Sequence, residues 1–198
     1  TSTHGQKTKS SPQGVIDHPF NPALLALGAE GTFVARSMDR DPKHLREMLL
    51  RMHQHKGTSF IDVMQNCVIF NDGAYDLYTE KETKSDNTVY IEHGQPLVFG
   101  KNDDKGIRLD GFKPVIVSLD KFSKDDLLVH DEKSKELAFI LAQMNDLEGY
   151  PQTMGVLLDI ERSVYEHELT EHIEDARAKG KSMTLDALLR EGQTWEIN

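Results

Sequence analysis

The chain has 198 residues, 37% of them apolar and 28% charged, with 23 Lys and Arg against 33 Asp and Glu for a net charge of −10. A chain of this length buries about 70% of its unfolded surface, enough for one or two modest domains. It has no run of roughly 18 apolar residues to span a bilayer and no apolar block in residues 1–11 to act as a secretory signal, so a soluble, cytoplasmic protein without membrane partners is expected.

Charge is uneven. Residues 1–56 hold eight basic and five acidic side chains, and the remainder holds fifteen against twenty-eight. A nucleic-acid binder shows a basic face, and an excess this slight argues against nucleic acid as a partner. Cys67 is the only cysteine, which rules out an intrachain disulfide and any metal cluster held by this chain's thiols alone.

In chain order, residues 1–16 are polar, with Gly5, Pro12 and Gly14, and read as loop. Asn21-Pro22 is an N-cap followed by proline at the first helical position, with Leu24, Leu25 and Leu27 behind it and Gly28 at the stop. Residues 32–36 are β-prone. Asp41-Pro42 opens a second helix with Leu45, Met48, Leu49 and Met52 at helical spacing and Gly57 after it. Residues 59–64 are mostly apolar, as a buried strand should be. Strand, helix and strand predict a βαβ unit with parallel strands and a right-handed crossover. In open α/β sheets, ligands gather beyond the carboxyl ends of the strands, and Cys67 lies there.

After Gly73 the texture changes. Residues 79–87 are a charged stretch. Residues 89–91 and 97–99 flank His93-Gly-Gln-Pro96 and read as a hairpin, followed by the turn-rich residues 102–106 and apolar runs at 115–117 and 127–129. Leu137, Ile140, Leu141 and Met144 mark a helix, residues 165–179 another and residues 185–190 a last short one. The fold class expected is α/β, with a division into residues 1–78 and a C-terminal extension, residues 79–198.

Few residues assemble into chemistry by spacing. His167 and His172 are five apart, about 140° round a helix, and do not share a face as zinc-protease histidines must; a solvated helix face is the reading. His53 and His55, two apart on a helix, point away from each other and read as surface residues. Residues 103–106 lack the alternating oxygen ligands of a calcium loop, and no phosphate-binding glycine loop is present. A cysteine more often packs as a small hydrophobe than reacts, and its place past the second strand is what raises a ligand role for Cys67.

Three segments carry a resemblance: Gly28-Ala-Glu-Gly-Thr-Phe-Val-Ala-Arg36, Gly57-Thr-Ser-Phe-Ile-Asp-Val-Met-Gln-Asn-Cys-Val-Ile-Phe-Asn-Asp72 and Leu188-Leu-Arg-Glu-Gly-Gln-Thr-Trp195. Together they resemble the β subunit of 2-oxoacid:ferredoxin oxidoreductases, with the 2-oxoglutarate type nearest. The resemblance implies part of a thiamine-diphosphate-binding parallel-sheet domain in residues 1–78 and a C-terminal extension with a hairpin and helices in residues 79–198. It implies oxidative decarboxylation of 2-oxoglutarate with coenzyme A to succinyl-CoA and CO₂, electrons passing through a [4Fe–4S] cluster to ferredoxin. By the same match Cys67 is the fourth cluster ligand, and from the loop's position backbone amides of residues 66–70 are expected to donate to the cluster sulfurs.

Departures from the family pattern matter as much. The 198 residues contain no Cys-x-x-Cys and no Gly-Asp-Gly segment with its later Asn, which in the family bind the cluster, and Mg²⁺ with the diphosphate. The resemblance therefore implies the C-terminal portion of a β subunit, inactive alone and completed by an N-terminal part and by an α subunit. Lys7 and Lys9 are candidates to hold the diphosphate or coenzyme A, against the more ordinary reading as a solvated loop. Two rivals stay open: a pyruvate or broader 2-oxoacid specificity on the same chemistry, and a non-catalytic interaction domain without the cofactor half.

Overall fold

A computed structural model describes residues 4–7, 11–69, 71–180, 183–192 and 195. The chain divides into two compact units, Thr1–Arg162 and Ser163–Asn198. In the first, the elements are α1 (Pro22–Gly28), β1 (Phe33–Met38), α2 (Pro42–Gln54), β2 (Ser59–Met64), the single turns α3 (Asp76–Thr79) and α4 (Lys84–Asn87), and β3 (Thr88–Ile91). Then follow β4 (Val98–Phe99), β5 (Lys105–Asp110), β6 (Lys113–Ser118), a 3₁₀ turn at Lys124–Asp126, α5 (Lys135–Met144) and β7 (Gln152–Asp159). The second unit holds α6 (Tyr165–Lys179) and α7 (Leu185–Leu189).

Helix starts follow the capping chemistry in the sequence. The Asn21 side chain accepts the Leu24 amide at 3.1 Å and Asp41 accepts the His44 amide at 3.2 Å, each followed by proline in the first turn. Both satisfy an amide that the helix itself leaves without a partner. Ser134 caps α5 in the same way at 3.2 Å.

The expected βαβ unit is present: β1 and β2 are parallel neighbours, paired from Phe33 opposite Ser59 to Met38 opposite Met64. They belong to a four-stranded sheet of order β2-β1-β7-β3, in which β7 runs antiparallel to β1 and β3 parallel to β7. β4, β5 and β6 form a separate antiparallel sheet.

Two expectations are corrected. Residues 89–91 and 97–99 do not pair with each other: β3 pairs with β7 and β4 with β5, and the hairpin of this region is β5–β6. The partner of β3 lies some sixty residues downstream in the buried run Gln152–Asp159, which periodicity did not mark as a strand. Gly155 in β7 holds φ +125°, and a Cβ there would stand 2.5 Å from the Ile91 carbonyl oxygen, so only glycine lets β3 approach this closely.

All six residues of β1 are buried. Their alternation sends Phe33 and Ala35 to a cluster with Met48 of α2 and Val156, while Val34 joins Ala23, Leu27, Ala138, Leu141 and Leu158 beneath α1 and α5. Each large side chain so buried contributes roughly 1.5–3 kcal/mol relative to exposure.

The second correction concerns His55. Its side chain is buried, 4% exposed, with Nε2 2.8 Å from Thr32 Oγ1 and Nδ1 3.0 Å from Asp159. It stands one residue past the end of α2, so the chain turns it inward and helical geometry does not set its direction. His53 is exposed as expected. Arg51 lies alongside, donating to both carboxylate oxygens of Glu132 at 2.9 and 2.6 Å and to Asp159 at 3.0 Å. These carboxylates raise its pKa further above the ordinary arginine value, against the effect of burial. This network closes the edge of the sheet where β1 begins and β7 ends.

In the second unit, every described residue of α6 and α7 is exposed, His167 and His172 among them, so the solvated helix face expected for the two histidines is what is found. Among the described residues no helix is long and apolar enough to cross a membrane.

Candidate functional site

Beyond the carboxyl end of β2 the chain leaves as Gln65-Asn66-Cys67-Val68-Ile69, with residue 70 outside the described set, and returns at Asn71-Asp72-Gly73. The loop is closed by its own hydrogen bonds. The Asn71 amide donates to the Cys67 carbonyl at 2.9 Å, the Asn66 side chain donates to Asp72 at 2.9 Å, and the Gly73 amide donates to Asn66 Oδ1 at 3.0 Å. The Asn66 backbone amide donates to Asp39 at 3.3 Å, so it is already engaged and does not point to a ligand as expected from the sequence.

This bracing holds out what lies at the loop's tip. Cys67 is exposed, and Val68 and Ile69 beside it are 73% and 80% exposed. A cysteine serving only as packing is buried. This thiol, flanked by bare aliphatic side chains, faces whatever approaches the mouth of the parallel strands.

The N-terminal loop comes to the same place. Gln6 Nε2 donates to Asn71 Oδ1 at 2.7 Å, which ties the segment carrying Lys7 to the Cys67 loop across 65 residues of sequence. Lys7 is exposed, and Lys9 falls outside the described residues.

Beside the loop opens a cleft of about 650 Å³ whose lining includes Phe20, Arg36, Asp62, Tyr75, Tyr78 and Asn145. Its floor follows from strand alternation: Arg36 shares a face of β1 with Val34, Asp62 shares a face of β2 with Phe60, and the register sets the two opposite each other. Arg36 Nε donates to Asp62 at 2.9 Å, with the two side chains 2% and 19% exposed. Arg36 Nη1 also reaches Thr153 Oγ1 at 3.4 Å. Burial raises the pKa of Tyr75 and of Tyr78, with the Asp62 charge adding to the effect at Tyr75. Asn145 accepts the Thr153 amide at 3.0 Å through Oδ1, while its Nδ2 is buried without a partner.

A buried ion pair is close to neutral as a whole, so this floor does not select a highly charged ligand. It offers donors and acceptors with aromatic faces around them, an arrangement that orients a polar ligand. Sequence reasoning did not single out these residues, although an Arg and an Asp in mid-strand among apolar neighbours, both inside the resembling segments, were a visible signal.

A second arrangement looks catalytic and is not. Ser37 Oγ lies 2.8 Å from His44 Nδ1, with Asp41 close by. Ser37 is wholly buried, however, and Asp41 accepts from the His44 backbone amide and the Tyr90 hydroxyl, not from the imidazole ring. Burial lowers the pKa of His44. The group fastens the start of α2 to β1 and β3.

Among the described residues no group of three or more His, Cys, Asp or Glu side chains is placed to hold a metal ion. The donor set at the loop is a single exposed thiol. It fits an iron–sulfur cluster as one ligand of four and does not by itself make a site, and the 198 residues contain no diphosphate-binding segment to test against thiamine diphosphate.

No protein-family model matches the chain. Over its whole length it is 36% identical to the 2-oxoglutarate oxidoreductase subunit KorB of Mycobacterium tuberculosis, of which it covers 54%. Over 68 residues, 34% of this chain, it is 46% identical to a 2-oxoacid:ferredoxin oxidoreductase subunit beta of Saccharolobus solfataricus, covering 22% of that protein. A solved structure of 2-oxoglutarate:ferredoxin oxidoreductase from Magnetococcus marinus, with 2-oxoglutarate, coenzyme A and succinyl-CoA bound, matches 98% of this chain and 52% of its own at a TM-score of 0.63 and 16% identity, a likeness of fold. The chain thus spans about half the length of the curated relative that it matches throughout.

Proposed function

We propose that the chain, similar along its whole length to one 2-oxoglutarate oxidoreductase subunit and over about a third of it to 2-oxoacid:ferredoxin oxidoreductase β subunits, is part of such a β subunit and serves the oxidative decarboxylation of 2-oxoglutarate. In balance, 2-oxoglutarate, coenzyme A and two oxidised ferredoxins give succinyl-CoA, CO₂, a proton and two reduced ferredoxins. The observation that carries the reading is the identity to the M. tuberculosis KorB subunit along the entire chain. The exposed thiol at the mouth of the parallel strands supports it.

When bound, thiamine diphosphate with Mg²⁺ supplies the electron sink for decarboxylation and a [4Fe–4S] cluster supplies one-electron transfer. Neither is held by this chain alone. Cys67 would contribute one thiolate, and the remaining three, together with most of the diphosphate site, would come from an N-terminal portion of a β subunit, paired with an α subunit. Asn66, Asp39 and Asp72 brace the loop that carries the exposed Cys67. The Gln6–Asn71 hydrogen bond supports a role for Lys7 in attracting the phosphates of coenzyme A or of the diphosphate.

The test uses the intact complex under anaerobic conditions, with ferredoxin reduction followed at equal concentrations of 2-oxoglutarate and of pyruvate, each with and without coenzyme A. Faster reduction with 2-oxoglutarate, dependent on coenzyme A, is expected. Preference for pyruvate moves the specificity to the shorter acid. Absence of reduction with either, in a complex lacking the visible iron–sulfur absorption, leaves a non-catalytic interaction module.

A further inference from the structure

The main sheet ends on one side at β2, and its pairing fixes which backbone groups of that strand are committed. The Phe33 amide donates to the Thr58 carbonyl at 3.0 Å, and the Asp39 amide donates to the Met64 carbonyl at 3.0 Å. With β1 and β2 parallel and in unbroken register, Phe60, Asp62 and Met64 turn their amides to β1, while Ser59, Ile61 and Val63 turn their amides and carbonyls away from it. Among the described residues no backbone group pairs with these three on the outer side.

Two other strand edges of the same unit are blunted. β3, on the far side of this sheet, is only four residues long. β6 opens with Lys113 and Pro114, and the Pro114 carbonyl accepts from the Tyr150 hydroxyl at 2.8 Å. β2 has six residues with no lysine, proline or bulge, and its one charge, Asp62, is taken up by Arg36 at 2.9 Å. An edge of this kind is a template for another strand.

We infer, on the β-subunit reading, that an extended strand from the N-terminal portion of a β subunit adds to the free edge of β2. Two features choose this occupant. The chain covers 54% of the KorB relative, which leaves nearly half of such a subunit to be seated against it. A strand about 4.8 Å from β2 also has one end beside the loop that carries Cys67, where three further thiolates are needed. Alternation sets its side chains: those next to Ile61 and Val63 extend the cluster under α2 and are apolar, and those next to Phe60 and Asp62 border the cleft.

The test compares the full chain alone with the intact complex by hydrogen–deuterium exchange read at single amides. Phe60, Asp62 and Met64 should be protected in both. Ile61 and Val63 should exchange freely in the chain alone and at least about tenfold more slowly in the complex. A photoreactive p-benzoylphenylalanine placed at Val63 and irradiated in the complex should join to the N-terminal portion, as read by mass spectrometry of the peptides. Val63→Pro deletes an outward donor and no bond to β1, so it should speed exchange at Ile61 in the complex and lower the melting temperature of the complex more than that of the chain alone. Val63→Thr should do neither. Equal exchange of Ile61 and Val63 in the two samples, their protection in the chain alone as its concentration is raised, or photoproducts with a second copy or with the α subunit would each overturn the inference. None of these readouts uses turnover, so a complex that protects Ile61 and Val63 yet reduces no ferredoxin supports the added strand and counts against the 2-oxoglutarate chemistry alone.

Discussion

The two ends of the main sheet treat polar groups in opposite ways. Where β1 begins and β7 ends, Arg51, Glu132, Asp159, His55 and Thr32 meet one another at 2.6–3.0 Å; Arg51 and Glu132 also border a cavity of about 400 Å³, but both carboxylate oxygens of Glu132 are taken up by Arg51. At the mouth beyond β2, Arg36 and Asp62 also pair at 2.9 Å, but they do so on the floor of a cleft, with Tyr75, Tyr78 and the unpartnered Nδ2 of Asn145 around it. A network saturated by its own members specifies packing, whereas polar groups arranged around space are prepared for something not yet there. The exposed thiol stands at the second end only.

The largest expected effect comes from unpairing the cleft floor. Asp62→Leu strands the buried Arg36 guanidinium and should lower unfolding stability by about 3–5 kcal/mol, while the double change with Arg36→Met should recover most of the loss. Urea titration of the three variants measures both. At the closed end, Glu132→Gln removes a bidentate acceptor, but Arg51 keeps Asp159 and is 33% exposed. A smaller loss, about 1.5–3 kcal/mol, is expected there by the same titration. If the second substitution costs more than the first, the contrast between the two ends is wrong.

The pH dependence sharpens the same contrast. His130 is 1% exposed, with Nε2 donating to the Val156 carbonyl at 2.7 Å, and burial lowers its pKa from 6.5. His44 shifts in the same direction for the same reason. The unfolded chain thus takes up these protons at higher pH than the folded one, so their contribution is complete above pH 6.5 and is lost as the pH falls below it. Urea midpoints measured from pH 7.5 down to about 5.5 should decline, and His130→Gln should flatten the decline. Smallest of all, Tyr75→Phe should change stability by no more than about 0.5 kcal/mol. Ultraviolet titration should show Tyr75, Tyr78 and Tyr90 ionising above the ordinary tyrosine value of 10.0, and this variant should lose one of the three.

What could be read from the sequence was local. Asn21-Pro22 and Asp41-Pro42 cap their helices as those residue types require, and the β1–α2–β2 unit follows from period and length. The pairing of β3 was not legible, because its partner β7 is distant and buried in all but its last residue, with no alternation to mark it. His55 was misread because the rule of helical faces does not reach a residue just past the helix end. At the candidate site the sequence marks Cys67, by its place past β2, and Lys7, while the roles of both come from resemblance. The cleft is built by tertiary contact of segments spread from Gln6 to Gln152, and the Gln6–Asn71 bond that brings the N-terminal loop to it leaves no periodic trace.

The account rests on Cys67 acting through iron and not through packing. Cys67→Ser in the intact complex tests this, with chain stability, the electron paramagnetic resonance signal of the reduced cluster and ferredoxin reduction read on one preparation. Unfolding stability within about 0.5 kcal/mol of the parent, together with loss of the cluster signal and of ferredoxin reduction, is the predicted result. A variant that keeps the signal and the reduction rate, or that loses stability by several kcal/mol with the cluster intact, would contradict it.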